Sequence, residues 1–265
     1  MPSANINNVD LYYECHGEGE PLMLIAGLAS DSQSWQPIVE NLSRHFLVIT
    51  LDNRGTGRTH PQDTETSIQH MADDCIALMN KLALPTVTLL GHSMGGFIAL
   101  DCTIRYPERV SRLILAGTSA LSSQRNHVLF DDWVSYLKSE MELDTWFRNV
   151  FYWIFSRAFF ENRETVDMAI QATLEYPYPQ SKLAFEKQVQ AIKVFDCQLK
   201  LSGIKQHVLI ICGKEDLLFP PAESTEVLQA IPATSAVVIA GAAHSIHMEK
   251  PLEFTDCVVG FIKEG

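Results

Sequence analysis

Val87-Thr-Leu-Leu-Gly-His-Ser-Met-Gly-Gly96, followed by Phe97-Ile-Ala-Leu-Asp-Cys-Thr-Ile-Arg105, reads as a buried strand, a sharp turn and a helix. Val87 to Leu90 are apolar or β-branched, as a strand covered on both faces requires. Gly91-His92-Ser93-Met94-Gly95 has the pattern G-x-S-x-G, in which the serine occupies a strained strand-to-helix turn. Glycines two before and two after the serine let neighbouring backbone pass close by. The hydroxyl is then held over the N-terminus of the next helix, where free N–H groups favour developing negative charge. Alone, the pentapeptide also fits a glycine-rich turn in any doubly wound sheet. What separates the two readings is whether a base and an acid follow at the ends of later strands.

Outward from this stretch the chain alternates strands and helices. Residues 4–16 read as two short strands turning near Asn7-Asn8. Leu22-Met-Leu-Ile-Ala26 and Phe46-Leu-Val-Ile-Thr-Leu51 are buried strands, separated by a helix from about Trp35 to Ser43. Thr66 and Gln69 suggest a capping box for a helix through Leu82, closed by Pro85; its Met71, Cys75, Leu78, Met79 and Leu82 form one inward face. The helix after Ser93 stops at Pro107, and Val110–Ala116 is the next strand. Residues 120–197 carry helical periodicity and no convincing strand. Alternation resumes with the strand His207–Cys212, a helix near 222–231, the strand Ala236–Ile239 and a last helix from Pro251 to Lys263. This rhythm predicts an α/β fold with a mostly parallel sheet, eight strands in all, flanked by helices. Residues 1–119 and 198–265 form the core, and 120–197 are a helical insertion within one domain.

Composition sets bounds. A chain of 265 residues that is 46% hydrophobic buries a full core. A net charge of −12 argues against nucleic acid and against an anionic membrane surface. The cysteines at 15, 75, 102, 197, 212 and 257 form no C-x-x-C pair, and most fall in apolar segments. Together with a start that has no signal-peptide character and no bilayer-length apolar run, they imply a cytoplasmic protein.

A serine hydroxyl needs a base within reach, and the base needs a group to orient it. In a parallel sheet such groups gather at the carboxyl ends of strands. After His207–Cys212 comes Gly213-Lys-Glu-Asp216; after Ala236–Ile239 comes Ala240-Gly-Ala-Ala-His244. The chain order Ser93, Asp216, His244 is that of a nucleophile, acid and base on this kind of sheet. Glu215 is the alternative acid, although consecutive loop residues rarely point the same way. His247 competes with His244 but lies further from the strand end and reads as a helix-start or lid contact. His92 reads as a packed neighbour. His244 and His247 have no third ligand clustered with them in sequence, so no metal and no cofactor is expected. The oxyanion of a tetrahedral intermediate needs two N–H donors: Met94, directly after the serine, and Leu28, after Gly27 in the loop following the third strand.

With these residues in view the chain resembles the α/β-hydrolase superfamily over nearly its whole length. Within it, the resemblance is to small carboxylesterase, enol-lactonase and aminoacrylate-hydrolase-like members. It rests on Gly27-Leu-Ala-Ser…Trp35, Asp52-Asn-Arg-Gly-Thr-Gly57, Gly91-His-Ser-Met-Gly-Gly96, Gly213-Lys-Glu-Asp216 and His244…Glu249-Lys-Pro251. Family members usually carry histidine before the glycine of the oxyanion loop; here it is Ala26. That still allows the N–H donor but removes a side chain that often braces the loop. Arg54 and the glycines after it are structural in the family and are carried over as such. The insertion matches the family's lid only in kind.

Eleven of the 24 aromatic residues lie between Phe130 and Phe160. A stretch this apolar cannot all face water. Most of these side chains are expected to pack the insertion onto the body, with a few lining an apolar cavity over Ser93. Tyr176-Pro-Tyr-Pro179 is a breaker between its helices. The expected activity is serine-dependent hydrolysis of a carboxylic ester or lactone carrying an apolar group, by a monomer or homodimer. A C–C or amide hydrolase on the same three residues is the near alternative; a slow-turnover ligand sensor is the distant one. A nucleotide-binding domain is excluded because neither G-x-G-x-x-G nor G-x-x-x-x-G-K-[ST] follows the first strand.

Overall fold

The computed structural model describes residues 2–264. Strands β1 (Ser3–Ile6) and β2 (Val9–His16) form a hairpin whose turn residues, Asn7 and Asn8, both have positive φ. β3 (Pro21–Ile25) leads through a short 3-10 turn into α1 (Gln36–Ser43), followed by β4 (Leu47–Leu51) and α2 (Ile68–Lys81). β5 (Val87–His92), α3 (Met94–Arg105) and β6 (Val110–Ala116) make up the centre. Four helices follow: α4 (Gln124–Lys138), α5 (Leu143–Ile154), α6 (Arg163–Leu174) and α7 (Lys182–Lys193). β7 (His207–Gly213), α8 (Pro221–Leu228), β8 (Thr234–Ile239), the short α9 (Ile246–Glu249) and α10 (Pro251–Glu264) complete the chain.

The eight strands form one sheet in the order β1-β2-β4-β3-β5-β6-β7-β8. β2 pairs antiparallel with β1 and β4; every other pairing is parallel. The continuous apolar strands work because the sheet is covered on both sides. In β3, Met23 and Ile25 enter one core while Leu22 and Leu24 enter the other. The same two-residue alternation sends Leu113 and Leu115 of β6, and Val208 and Ile210 of β7, to the first core, and Ile114, Leu209 and Ile211 to the second. The first core holds α2, α3 and much of the helical segment; the second is closed by α1 and α10. β8 lies at the sheet edge, and Val238 there is half exposed.

Several boundaries differ from the sequence reading. The cap of α2 is Ser67, whose Oγ accepts from the N–H of His70, and not a Thr66–Gln69 box. Thr66 Oγ1 donates instead to Thr64 O, a local bond that withdraws it from the helix end. α2 ends at Lys81, before Pro85, because Ala83 turns to φ 55°. Trp35 belongs to the 3-10 turn before α1. β8 begins at Thr234 and α8 stops at Leu228.

Residues 120 and 197 meet at the base of the helical segment. Leu121 bridges to Asp196, and the Cys197 N–H donates to Ala120 O at 3.1 Å. Phe130, Trp133, Trp146 and Phe185 pack into the same core as α3. Phe151, Val166 and Ile170 form a smaller cluster joined by Phe155 and Phe159. Most of these aromatics therefore stabilise the segment and its seat, as expected of a long apolar stretch. Among the described residues no helix is long and apolar enough to cross a membrane.

Candidate active site

The loops after β3, β5, β6, β7 and β8 leave the same edge of the sheet, because these strands run parallel. At the end of β5 the chain turns at Ser93, with φ 55° and ψ −122°. A non-glycine residue there stores strain of roughly 1–3 kcal/mol and persists only if its surroundings over-determine it. They do: Ser93 N–H donates to Ala116 O at 3.0 Å, and Ser93 O accepts from Thr118 Oγ1 and Gly96 N–H, each at 2.8 Å. The flanking glycines are steric necessities. A Cβ on Gly91 would sit 2.2 Å from Gly95 O, and one on Gly95 would sit 2.0 Å from Ile25 O.

Asp216 and His244, from the loops after β7 and β8, form a buried pair. His244 Nδ1 lies 2.9 Å from Asp216 Oδ2, with side-chain exposures of 5% and 0%. Asp216 Oδ1 accepts from the N–H groups of Leu218 and Phe219 at 2.8 and 2.9 Å. The Phe219 ring stacks on the imidazole, with centroids 5.7 Å apart. Gly117, at φ 52°, backs the pair so closely that a Cβ would stand 3.3 Å from His244 Nδ1 and 3.4 Å from Asp216 Oδ2. Its neighbour Thr118 is the residue bonded to Ser93 O. Asp216 and His244 are thus directly joined, and Ser93 shares their wall; no hydrogen bond links Ser93 Oγ to His244 among the described residues. Catalytic contacts are commonly long without substrate and tighten when it binds. Glu215 points elsewhere, its Oε2 accepting from the Arg157 N–H at 3.0 Å.

Two further histidines lie beside this pair. His92 Nε2–H donates to His244 O at 2.8 Å, which fixes the His92 tautomer because a carbonyl only accepts. His247 lies in the first turn of α9. Its ring lies 4.5 Å from that of Trp35 and 4.8 Å from that of His92. Burial, and then the His244 imidazole, push His92 down to about 3 from its ordinary 6.5. Burial, then His92 and His244, push His247 well below the same value. Both rings fold as neutral groups, whereas the unfolded chain takes up their protons below about pH 6.5. Their stabilising contribution is present above that pH and is lost as pH falls through the folded values. We expect stability to fall below pH 6.5 by up to about 1.4 kcal/mol per pH unit for each ring. Urea unfolding at pH 7, 6 and 5 measures the slope, and His92→Gln should lower it by one proton's worth. An unchanged slope in the variant would contradict the assignment.

The loop after β3 crosses the turn. A Cβ on Gly27 would stand 3.0 Å from Ser93 Cβ, so Leu28, the next residue, lies at the site's edge. The N–H of Met94 is the first of α3, one of those left without a carbonyl inside the helix. The bracing that Ala26 cannot supply comes from the loop after β4. Asn53 Nδ2 donates to Ala26 O at 3.0 Å, and Asp52 Oδ1 accepts from Ser32 N–H at 3.0 Å. Tyr176 adds a hydroxyl donated to Asp31 Oδ2 at 2.5 Å. Arg54, by contrast, is structural, gripping Asp74 through two 2.7 Å bonds away from the site. The roles of Asn53 and Tyr176 left no signal in the sequence beyond their place in loops already of interest. Among the described residues no group of three or more His, Cys, Asp or Glu is set to hold a metal ion.

Comparison with known proteins agrees with this architecture. The chain is 28% identical over 257 residues to the Agrobacterium fabrum protein named "Putative carbamate hydrolase RutD", a match covering 95% of this chain and 98% of that one. The enol-lactonase from Burkholderia xenovorans LB400 superposes with a TM-score of 0.89 at 26% identity, over 99% of this chain and 100% of its own. A thermophilic esterase from Thermogutta terrifontis gives 0.85 at 26% identity, over 97% and 94%. The model for the alpha/beta hydrolase fold matches residues 20–251, which reach from the start of the parallel sheet past the loop of His244. The chain therefore belongs to the α/β-hydrolase-fold family.

Proposed function

We propose that this hydrolase cleaves a carboxylic ester or lactone through an acyl-enzyme on Ser93. The observation that carries the reading is the 2.9 Å contact between His244 Nδ1 and Asp216 Oδ2 on the rim where Ser93 is held in its strained turn. With the Nδ1 proton donated to Asp216, the imidazole keeps Nε2 free to act as a base. His244 takes the Ser93 proton as Oγ bonds to the substrate carbonyl carbon. The Leu28 and Met94 N–H groups receive the resulting oxyanion. Collapse breaks the C–O bond and the alkoxy oxygen takes the proton from Nε2; an ester loses its alcohol, while a lactone keeps the new hydroxyl tethered to the acyl chain. Water, deprotonated by the same nitrogen, then attacks the acyl group; the acid departs and Ser93 is restored. The segment 120–197 serves as a lid over this site, carried by a core of 1–119 and 198–265. Its aromatic content supports a substrate with an apolar acyl or alkoxy group.

A carbamate is the second reading, favoured by the name of the Agrobacterium fabrum relative. The same three residues would attack its carbonyl. A panel of aryl esters of rising chain length, lactones and carbamates distinguishes the two, alongside labelling by a fluorophosphonate mapped to its peptide. We expect multiple turnovers on esters or lactones and a label on Ser93. A folded protein that takes no label and turns over none of the panel would overturn the proposal. Tight binding with near-single turnover would point instead to a ligand sensor.

A further inference from the structure

Glu249 closes the short helix α9 that follows His244. Both of its oxygens accept from main-chain N–H groups, and the two donors belong to different parts of the molecule. Oε2 takes the N–H of Ala243, beside His244, at 2.8 Å. Oε1 takes the N–H of Ser156, just beyond α5, at 2.9 Å. A second bond runs parallel: the Ser245 N–H, on the other side of His244, donates to Ile154 O at 2.9 Å. A third joins the Arg157 N–H to Glu215, next to Asp216, at 3.0 Å. Residues 154–157 are thus fastened to both loops that carry the His244–Asp216 pair. The same residues are rooted in the helical segment, where the Phe155 ring stacks on Phe159 at 4.3 Å and meets Phe151 at 5.0 Å.

We infer that Glu249 is a positioning residue that couples the placement of the helical segment to the placement of the His244 imidazole. The inference rests on the proposed function for its kinetic consequence, but not for the coupling itself. The physical reason is the shared carboxylate. If residues 154–157 move away from the rim, Ser245 loses its acceptor and Glu249 loses one of its two donors. Ser245 is then released directly, and Ala243 is left tied to a carboxylate that has lost its anchor in the segment. With the segment seated, the same bonds hold Ala243 and Ser245, and so fix the imidazole between them. A substrate that seats the segment would thereby set its own base.

Two variants test this from opposite ends. Glu249→Gln keeps one acceptor oxygen and turns an NH2 toward the other N–H. Ser156→Pro removes the donor on the segment side, together with a buried hydroxyl that makes no hydrogen bond. Its backbone is already suited to proline, with Ser156 at φ −71° and Phe155 before it extended at φ −111°, ψ 152°. We expect each to lower kcat on the best substrate about tenfold to a hundredfold, with KM changed far less. The double variant should be no slower than the worse single one, because both break one linkage. Amide exchange at 243–245 and at 154–157 should accelerate together in either single variant. Losses that multiply in the double variant, or faster exchange confined to the mutated side, would overturn the inference. If wild-type protein neither takes the fluorophosphonate label nor turns over any ester, lactone or carbamate, the function fails and the exchange measurement still decides the coupling.

Discussion

Ser93→Ala is expected to reduce ester turnover by roughly 10^6-fold and to abolish phosphonate labelling, with the fold retained. Loss of the nucleophile removes the only route to the acyl-enzyme in the proposed reaction. The fold survives because what holds residue 93 is main chain. Its N–H bonds to Ala116 O, and its carbonyl accepts from Thr118 and Gly96. None of these bonds needs the hydroxyl. The turn makes a second, independent expectation. Ser93→Gly should be as inactive as the alanine variant yet more stable than it by about 1 kcal/mol or more, since glycine adopts φ 55° without the Cβ penalty. Matched melting curves and single-turnover assays measure both effects. An alanine variant that keeps more than about 1% of wild-type turnover would exclude Ser93 as the nucleophile.

Asp216→Asn is expected to lower kcat by about 10^4-fold while leaving stability nearly unchanged. The asparagine oxygen can still accept from Leu218 and Phe219, as Asp216 Oδ1 does. Its amide nitrogen must then face His244 Nδ1. A donor there forces Nδ1 to accept, which moves the imidazole proton to Nε2 and leaves no base for Ser93. Asp216→Ala separates the chemical effect from the structural one. It also orphans two buried N–H groups, each at a cost of about 1–3 kcal/mol, so it should unfold earlier as well as react slowly. Glu215→Gln is the control, and should retain most activity because Glu215 faces Arg157 and not the imidazole. If Asp216→Asn keeps kcat within tenfold of wild type, Asp216 is not the orienting acid.

Local chemistry explains why much of the architecture is legible in the chain. Ser93 was findable because a strand, a turn and a helix are contiguous there, and sterics alone demand glycine at 91 and 95. Asp216 and His244 were findable as candidates because each follows a buried parallel strand, and parallel strands end on one edge. The error at Thr66 has the same local origin. Several hydroxyls near a helix start can serve as its cap, and the one left free by other bonds, Ser67, takes the role. Gln69 offered a matching spacing with nothing to enforce it.

The amino-acid sequence by itself determined the alternation of strands and helices, the two-sided burial of the sheet, the strained turn at 93 and the short list of candidate acids and bases. Those features depend on neighbours within one or two turns of chain, so side-chain period and backbone sterics suffice. Only the tertiary structure decided that Asn53 steadies Ala26, that His92 ties the turn to His244, and that Glu249 joins Ala243 to Ser156. Each of those is a hydrogen bond between segments distant in sequence. Its direction is set by where packing brings a buried donor or acceptor that must be satisfied, and no periodicity along the chain encodes that meeting.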